Sequence, residues 1–177
     1  QFLLNAALII QADKILGVVP KYYLDDKKDM YAKRYFTSGF ALEEKVKEII
    51  ILNQKVAFGR LIFQVEEVSL GVEINSDMDR ILSPGDLLSV NGANIIVNLA
   101  STKKLVDEFV MRKNAVLESS RRVVTNYLYH SAGSLESSAE GLFSGQTFVA
   151  ANGRLVLEKE VTSFTTETIE VDLDLSR

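Results

Sequence analysis

The segment VSLGVEI at Val68–Ile74 leads directly into the polar residues NSD at Asn75–Asp77. Its apolar and β-branched residues predict a strand, and the polar residues predict a turn after it. In α/β folds reactive groups lie beyond the carboxyl ends of strands, so the residue at this bend is a natural position for a nucleophile. Asn75 occupies the bend, and asparagine is among the few non-glycine residues that tolerate the positive φ of a strained elbow. Its carboxamide is not basic, however, and cannot act as a covalent nucleophile.

A helix and a second buried strand are predicted after this turn. Ser83-Pro84-Gly85-Asp86 is typical of a helix start, with a serine cap, a proline in the first turn and an early carboxylate. This helix is expected to end by Asn91-Gly92, and the nearly all-apolar Ala93–Leu99 predicts a strand covered on both faces. Thr102–Asn126 is predicted to be a long helix, because apolar residues recur there at helical spacing opposite a charged face.

The rest of the chain is predicted to form mainly strands. One hairpin is expected from Phe2–Ile10 and Ile15–Val19, and another from Phe148–Ala151 and Leu155–Val161 around the turn Asn152-Gly153. Further strands are predicted at Val46–Leu52, Leu61–Val65, Tyr127–Ser131 and Thr168–Leu175. Together these elements predict one α/β domain with many strands and at least two helices, rather than a helix bundle.

The composition excludes several classes of site. The 177 residues include no cysteine and one histidine, which excludes a thiolate nucleophile, a thiolate metal site and a multi-histidine metal site. The net charge of −4 argues against a nucleic-acid partner, whose footprint is a basic surface. No apolar run approaches the ~18 residues of a membrane span, so we expect a cytoplasmic protein with no membrane partner. Because the chain starts at Gln1 without an initiator methionine, we expect it to be an excerpt of a longer one.

The other candidate sites have simpler structural explanations. A Ser–His–acid triad would need His130, but the side chain of its strand neighbour Ser131 points to the opposite face, so we expect a structural histidine. Asp77-Met78-Asp79 resembles the start of a divalent-metal loop, yet the residues that follow offer no oxygen ligands, so turn capping is favoured and no metal site is expected. Lys21 directly follows a predicted strand, and composition alone favours a surface lysine.

Short stretches distributed over Asn5 to Asp174 carry a recognisable pattern. They are NAALII at Asn5–Ile10, ILGVVPK at Ile15–Lys21, GVEI at Gly71–Ile74, GANIIVNL at Gly92–Leu99, SAG at Ser131–Gly133 and SGQ at Ser144–Gln146. Their order and spacing resemble the amino-terminal glutaminase domain of glutamine-dependent NAD synthetases, which is part of the nitrilase (carbon–nitrogen hydrolase) superfamily. The resemblance implies a single domain with an α-β-β-α sandwich, in which helices flank two β-sheets. It also implies an amidase that releases ammonia from glutamine for a separate ATP-dependent synthetase domain.

The catalytic residues of that family are a glutamate, a lysine and a cysteine. The glutamate takes the thiol proton, the cysteine attacks the amide carbonyl, and the lysine stabilises the oxyanion. By the resemblance, Lys21 falls on the family lysine and Asn75 on the family cysteine, while the general-base glutamate is expected upstream of Gln1. Ala32 falls where the family carries a second glutamate that supports the lysine, and Thr102 falls where a small hydroxyl residue helps to hold glutamine.

These departures predict an impaired enzyme. Loss of the covalent nucleophile is expected to abolish most of the activity, since it lowers the catalytic rate of a serine protease by about 10⁶-fold. Ser76 replaces the glutamate of a family Glu-Asp pair, and Asp79 replaces an aromatic residue of the family. These two substitutions resemble the changes that accumulate in an active site that is no longer used. We therefore expect residues 1–177 to be a partial glutaminase-type domain, without its amino-terminal strands, without a cofactor and without the ATP-dependent synthetase domain.

The sequence is also compatible with two other functions. The first is a non-catalytic scaffold or oligomerisation domain, in which the apolar face of Leu105–Val124 is partly the interface of a homo-oligomer. The second is an amidase that uses Ser76 as its nucleophile, although a shift of one residue is expected to turn the side chain elsewhere.

Overall fold

The chain folds into two β-sheets with few helices. A computed structural model describes residues 2–25, 31–136, 141–161, 164 and 166–176. In these ranges the strands are β1 (Ala6–Gln11), β2 (Lys14–Pro20), β3 (Glu48–Ile51), β4 (Gln54–Phe58), β5 (Ile62–Val65), β6 (Val68–Ile74), β7 (Ile95–Ala100), β8 (Asn126–Ser131), β9 (Gln146–Ala151) and β10 (Arg154–Glu160). The helices are α1 (Ala32–Tyr35), α2 (Gly39–Leu42), α3 (Pro84–Val90) and α4 (Glu108–Val123), with a 3₁₀ helix at Asn75–Asp79.

The topology of the two sheets brings several strand ends to one edge. The four-stranded sheet has the order β1-β2-β4-β3, and the six-stranded sheet has the order β10-β9-β8-β7-β6-β5. The strands β6, β7 and β8 are parallel at the centre of the larger sheet, with Ile74 opposite Leu99 and Ala100 opposite Ser131. Their carboxyl ends therefore meet at one edge, which is where ligands bind in α/β sheets.

An apolar core lies between the two sheets. It consists of buried side chains from β1, β2, β5 and β6, namely Ala7, Val19, Phe63, Val72 and Ile74. Full burial of one valine, isoleucine or phenylalanine side chain contributes about 1.5–3 kcal/mol, so this shared core holds the sheets face to face.

Helices cover the outer faces of both sheets. Val116 of α4 and Leu88 of α3 pack on the larger sheet against Ile96, Tyr127 and Phe148. Leu42 of α2 packs against Val18, Val56 and Phe58 on the smaller sheet. The layers therefore follow the order helix, sheet, sheet, helix, which confirms the predicted α-β-β-α sandwich.

Two local predictions are confirmed in detail. The Ser83 hydroxyl accepts a hydrogen bond from the N–H of Asp86, and the Asp86 carboxylate accepts one from the N–H of Ser83, forming a capping box around Pro84. The turn between β9 and β10 lies at Asn152-Gly153, with φ values of +50° and +79°. A Cβ on Gly153 would lie 2.6 Å from the Cβ of Arg121, so glycine is required there for space as well as for conformation.

The prediction of a helix from Thr102 was wrong at its start. The helix α4 begins at Glu108, because the preceding backbone is held by distant partners: the N–H of Thr102 donates to the Ser131 hydroxyl and the N–H of Lys104 donates to the Leu142 carbonyl. Val106 fits the helical apolar pattern but is 92% exposed in this segment. In the described ranges no helix is long and apolar enough to cross a membrane.

Two further strand predictions had different outcomes. The strand predicted at Val46–Leu52 is found as β3, but β4 was missed: the chain turns at Leu52 and Asn53, both at positive φ, and β4 follows as the antiparallel partner of β3. The strand predicted at Thr168–Leu175 was wrong. Thr168–Leu175 keeps its predicted alternation of half-buried apolar and exposed acidic residues. It forms no strand ladder with any described residue, although the Asn126 side chain donates to the carbonyl of Asp174.

Candidate active site

The end of β6 forms a sharp elbow. Ile74 is the last residue of the strand, and Asn75 begins the 3₁₀ helix with a φ of +51°. Asn98 of β7 donates from its side chain to the Asn75 carbonyl oxygen at 3.0 Å, and Thr102 donates from its hydroxyl to the Asn75 Oδ1 at 3.1 Å. These contacts hold the positive φ that asparagine tolerates better than most residues.

Lys21 lies buried beside this elbow. Lys21 is the residue after β2 of the smaller sheet, and it is only 3% exposed. The prediction of a surface lysine, which was based on composition alone, was therefore wrong. The Nζ donates to the Ile74 carbonyl oxygen at 2.8 Å, to the Ser76 Oγ at 3.0 Å and to the Asp77 Oδ1 at 3.3 Å. An ammonium group has three donors, so all of them are used within this cluster.

Asp77 is the buried counter-ion of Lys21. Its carboxylate is fully buried and also accepts hydrogen bonds from the N–H groups of Tyr22 and Tyr23 at 3.0 and 2.9 Å. Burial raises the pKa of the Asp77 carboxyl, while the Lys21 ammonium and these two N–H groups oppose that shift. The predicted capping role of this side chain is therefore corrected: Asp77 joins the two sheets through an ion pair.

Ser76 contacts two charged groups at once. Its Oγ accepts from Lys21 Nζ and donates to the Asp25 Oδ2 at 2.5 Å. The Asp25 carboxylate is 3.9 Å from Lys21 Nζ and 3.7 Å from the Arg80 guanidinium. The sequence reasoning passed over Asp25, since a carboxylate in a charged loop gives no signal of burial.

Ala32 supplies no functional group to the lysine. It lies in the short helix α1, and its methyl side chain cannot replace the glutamate that the family resemblance places there. The carboxylates found beside Lys21 are instead those of Asp77 and Asp25. The acidic support of the lysine is thus provided by other positions of this chain.

Thr102 bridges the elbow to the next strand. Its Oγ1 lies 3.1 Å from Asn75 Oδ1 and 2.7 Å from the hydroxyl of Tyr129, which is fully buried on β8. Burial raises the pKa of the Tyr129 phenol. The late start of α4 is what allows Thr102 to reach this position.

A series of buried hydrogen bonds connects Glu73 to the elbow. Tyr127 donates to the Glu73 Oε1, Asn98 donates to the Tyr127 hydroxyl at 3.1 Å, and the same amide reaches the Asn75 carbonyl. The Glu73 Oε2 accepts from the N–H of Gly85 at 2.8 Å. Burial raises the pKa of Glu73 from 4.5 to about 7, against the lowering effect of the bonds from Tyr127 and Gly85. Sequence reasoning missed this role because a single glutamate within a strand pattern is ordinarily exposed.

A cavity of about 300 Å³ opens in front of these residues. It is lined by Asp25, Asn75, Ser76, Asp79, Ser101, Thr102, Lys103, Leu105, Glu108 and Arg112. The Arg112 guanidinium donates to the carboxylates of Asp79 and Glu108 at 3.0 Å each. Leu105 is the one apolar residue of this lining, so the cavity offers mainly hydroxyl, amide and charged groups, which suit a small polar molecule.

The other sequence candidates lie apart from this cluster. His130 makes its hydrogen bond to the Thr147 hydroxyl at 2.8 Å, and Ser131 accepts from Thr102, so the two do not form a catalytic pair. No group of three or more histidine, cysteine, aspartate or glutamate residues suited to a metal ion occurs in the described part of the chain.

Comparison with known proteins identifies relatives of this chain and of its fold. No model of a known protein family matches the chain. It is 31% identical over 160 residues to the glutamine-dependent NAD(+) synthetase of Mycobacterium tuberculosis, covering 88% of this chain and 23% of that protein. The chain thus spans about a quarter of the length of the curated relatives it matches.

Solved structures show the same fold. A glutamine-dependent NAD+ synthetase from Acinetobacter baumannii superposes with a TM-score of 0.72 at 22% identity, over 90% of this chain and 27% of that one. An amidase of the nitrilase superfamily from Nesterenkonia superposes with a TM-score of 0.61 at 14% identity, over 84% of this chain and 47% of that one. The chain therefore has the nitrilase-like fold and is related in sequence to glutamine-dependent NAD+ synthetases, which confirms the resemblance seen in its motifs.

Proposed function

We propose that the chain is a glutaminase-type domain of a glutamine-dependent NAD+ synthetase-type protein, and that it has lost the cysteine-based hydrolysis of glutamine. The relationship to such synthetases and the nitrilase-like fold support the first part. The second part rests on the residue at the elbow. In this proposal the synthetase reaction belongs to a part of the relatives that this chain does not match.

The observation that carries the proposal is the geometry of Asn75. This residue lies at the elbow with positive φ beside the buried Lys21, where the family resemblance places a cysteine. A carboxamide has no lone pair suited to attack on a carbonyl carbon, and the sequence has no cysteine to replace it. The pocket architecture is therefore retained without its thiol nucleophile.

The retained contacts explain why the site still folds. Asp77 balances the charge of Lys21, and Thr102 and Asn98 hold the elbow through hydrogen bonds to Asn75. None of these contacts requires a thiol. Replacement of the nucleophile thus removes catalysis but leaves the fold intact, as expected for a domain whose fold is retained without its original activity.

A coupled assay of ammonia release from glutamine tests this proposal. We expect the purified chain to release no more ammonia than its Lys21→Ala variant, since the step that forms a thioester is absent. Release at an ordinary enzymatic rate of about 1–10³ per second, abolished by Lys21→Ala, would overturn it. Circular dichroism of both proteins serves as the folding control.

A scaffold or oligomerisation domain is the second candidate. The observation that favours it is a set of exposed apolar side chains in and just before α4, namely Leu105, Val106, Val110 and Met111, which are between 53% and 92% exposed. A cluster of this kind is typical of a protein interface. Under this function the chain sediments as a homo-oligomer, and Met111→Asp converts it to a monomer without loss of fold. Sedimentation as a monomer at all accessible concentrations would remove this candidate.

A further inference from the structure

The hydroxyl of Ser76 lies between a cation and a carboxylate on the wall of the cavity. Its Oγ accepts from Lys21 Nζ at 3.0 Å and donates to the Asp25 Oδ2 at 2.5 Å. A nucleophile within hydrogen-bond reach of a base, with a cation beside it, is the arrangement expected of an activated hydroxyl. The role already proposed for the elbow residue does not use this group.

We propose that Ser76 is an acyl-accepting nucleophile, with Asp25 as its general base and Lys21 as the stabiliser of its alkoxide. The class of substrate is a small acyl donor with a good leaving group, such as an activated ester. This goes beyond the proposed function, which concerns the loss of thiol chemistry with glutamine at Asn75.

The conformation of the elbow explains how Ser76 reaches the cavity. Alternation of side chains between faces holds only within a strand, and β6 ends at Ile74. Asn75 takes φ of +51° and begins a 3₁₀ helix, so both Asn75 and Ser76 line the same cavity. The expectation that a shift of one residue would turn the hydroxyl away was therefore wrong.

The hydrogen bonds distinguish the roles of the two charged partners. Lys21 donates N–H groups to Ile74, Ser76 and Asp77, so these three contacts leave its nitrogen no position from which to accept the Ser76 proton. Asp25 accepts from the Ser76 hydroxyl and is thus the group that can take its proton. The Lys21 charge then stabilises the alkoxide that forms 3.0 Å away.

Asn75 gains a second use in this scheme. Its Oδ1 is occupied by the Thr102 hydroxyl, and its carboxamide nitrogen donates to no other group in the described ranges. A side-chain amide can stabilise a carbonyl oxygen as negative charge develops on it. Asn75 lines the cavity next to Ser76, so it is placed to donate to an acyl group under attack.

The reaction consumes only the acyl donor and one water molecule. The Ser76 hydroxyl proton passes to Asp25, and Oγ forms a bond to the acyl carbon as the bond to the leaving alcohol breaks. The leaving oxygen takes the proton from Asp25, which restores the carboxylate. Water then attacks the seryl ester with Asp25 again as base, and the carboxylic acid and the free Ser76 hydroxyl are regenerated.

The test uses 4-nitrophenyl acetate and a fluorophosphonate–biotin probe on the full chain. Nitrophenol release gives the rate, and mass spectrometry of the digested protein locates the covalent adduct. The variants are Ser76→Ala, which removes the hydroxyl, and Asp25→Asn, which removes the base but keeps an acceptor for the hydroxyl. The matched control is Ser134→Ala, a serine from a different cavity.

We expect the adduct on Ser76, loss of labelling by at least about 100-fold in Ser76→Ala, and a loss of about tenfold or more in Asp25→Asn, with Ser134→Ala unchanged. A Ser76→Cys variant keeps a nucleophile at this position, so 4-nitrophenyl acetate should acylate the same residue. The pH dependence of the acylation rate should differ from that of the wild-type chain. No adduct on the wild-type chain, an adduct only on other residues, or equal labelling of Ser76→Ala would each overturn the proposal. Glutamine hydrolysis in the ammonia assay would contradict only the proposed function, so the two failures are distinguishable.

Discussion

The ammonium nitrogen of Lys21 lies 2.8 Å from the carbonyl oxygen of Ile74, although the two residues are 53 positions apart in the chain. Lys21 follows β2 of the smaller sheet and Ile74 ends β6 of the larger one. One buried side chain thus joins the ends of both sheets at the elbow. The candidate site depends on this junction.

Replacement of Lys21 tests the buried ion pair. In Lys21→Met the carboxylate of Asp77 stays buried without its cation, so we expect the free energy of unfolding to fall by about 3–5 kcal/mol. Urea denaturation at neutral pH measures the change. The matched control is Lys55→Met, whose exposed pair with Glu48 should contribute less than about 1 kcal/mol. Equal stabilities of the Lys21 and Lys55 variants would contradict a structural role for the buried pair.

A cysteine at position 75 tests the electrostatics of the elbow. The chain has no other cysteine, so Asn75→Cys introduces a single thiol beside the Lys21 ammonium. A nearby cation lowers the pKa of a thiol from its ordinary value of about 8.5, so alkylation by iodoacetamide should begin at lower pH than in Ser134→Cys. Identical pH profiles for the two variants would show that Lys21 does not act on this position.

The pH dependence of stability tests Glu73. Its pKa is about 7 in the folded chain against 4.5 as the ordinary value, so the folded state keeps a proton that the unfolded state has lost in that range. This contribution is fully present below pH 4.5 and is lost as the pH rises to about 7, at a cost of about 3 kcal/mol from 1.36 kcal/mol per pH unit. Urea denaturation of the wild-type chain should therefore show a falling free energy of unfolding over this range.

The Glu73→Gln variant removes the titrating group and should show a weaker pH dependence between pH 4.5 and 7. The control is Glu67→Gln, an exposed glutamate on the turn before β6, which should behave like the wild-type chain. A slope of equal size in the Glu73 variant would mean that other groups cause the pH dependence.

The Thr102 hydroxyl is expected to stabilise the fold through its two contacts. Thr102→Val keeps the shape of the side chain but leaves the buried hydroxyl of Tyr129 and the Asn75 Oδ1 without this partner. We expect a loss of about 1–3 kcal/mol in thermal or urea unfolding. Thr102→Ser, which retains the hydroxyl, should lose less than half as much. A neutral Thr102→Val change would indicate that the bridge is not required.

Local sequence rules predicted much of the scaffold. The capping box at Ser83, the hairpin turn at Asn152-Gly153 and the positive φ of Asn75 depend on residues within a few positions of each other, and all three were found. The same rules extended α4 to Thr102, because the apolar spacing continues there. That error arose from hydrogen bonds to Ser131 and Leu142, which no local pattern reveals.

The sequence by itself determined the layered fold, the elbow residue and the absence of a thiol. Only the tertiary structure decided that Lys21 is buried and that the Ser76 hydroxyl donates a hydrogen bond to Asp25. The physical reason is separation along the chain: Lys21 meets Ser76 across 55 positions, and Ser76 meets Asp25 across 51. Periodicity and capping depend on residues within one or two turns of each other. The partners of a buried charge depend instead on which strand ends lie together once the two sheets have packed.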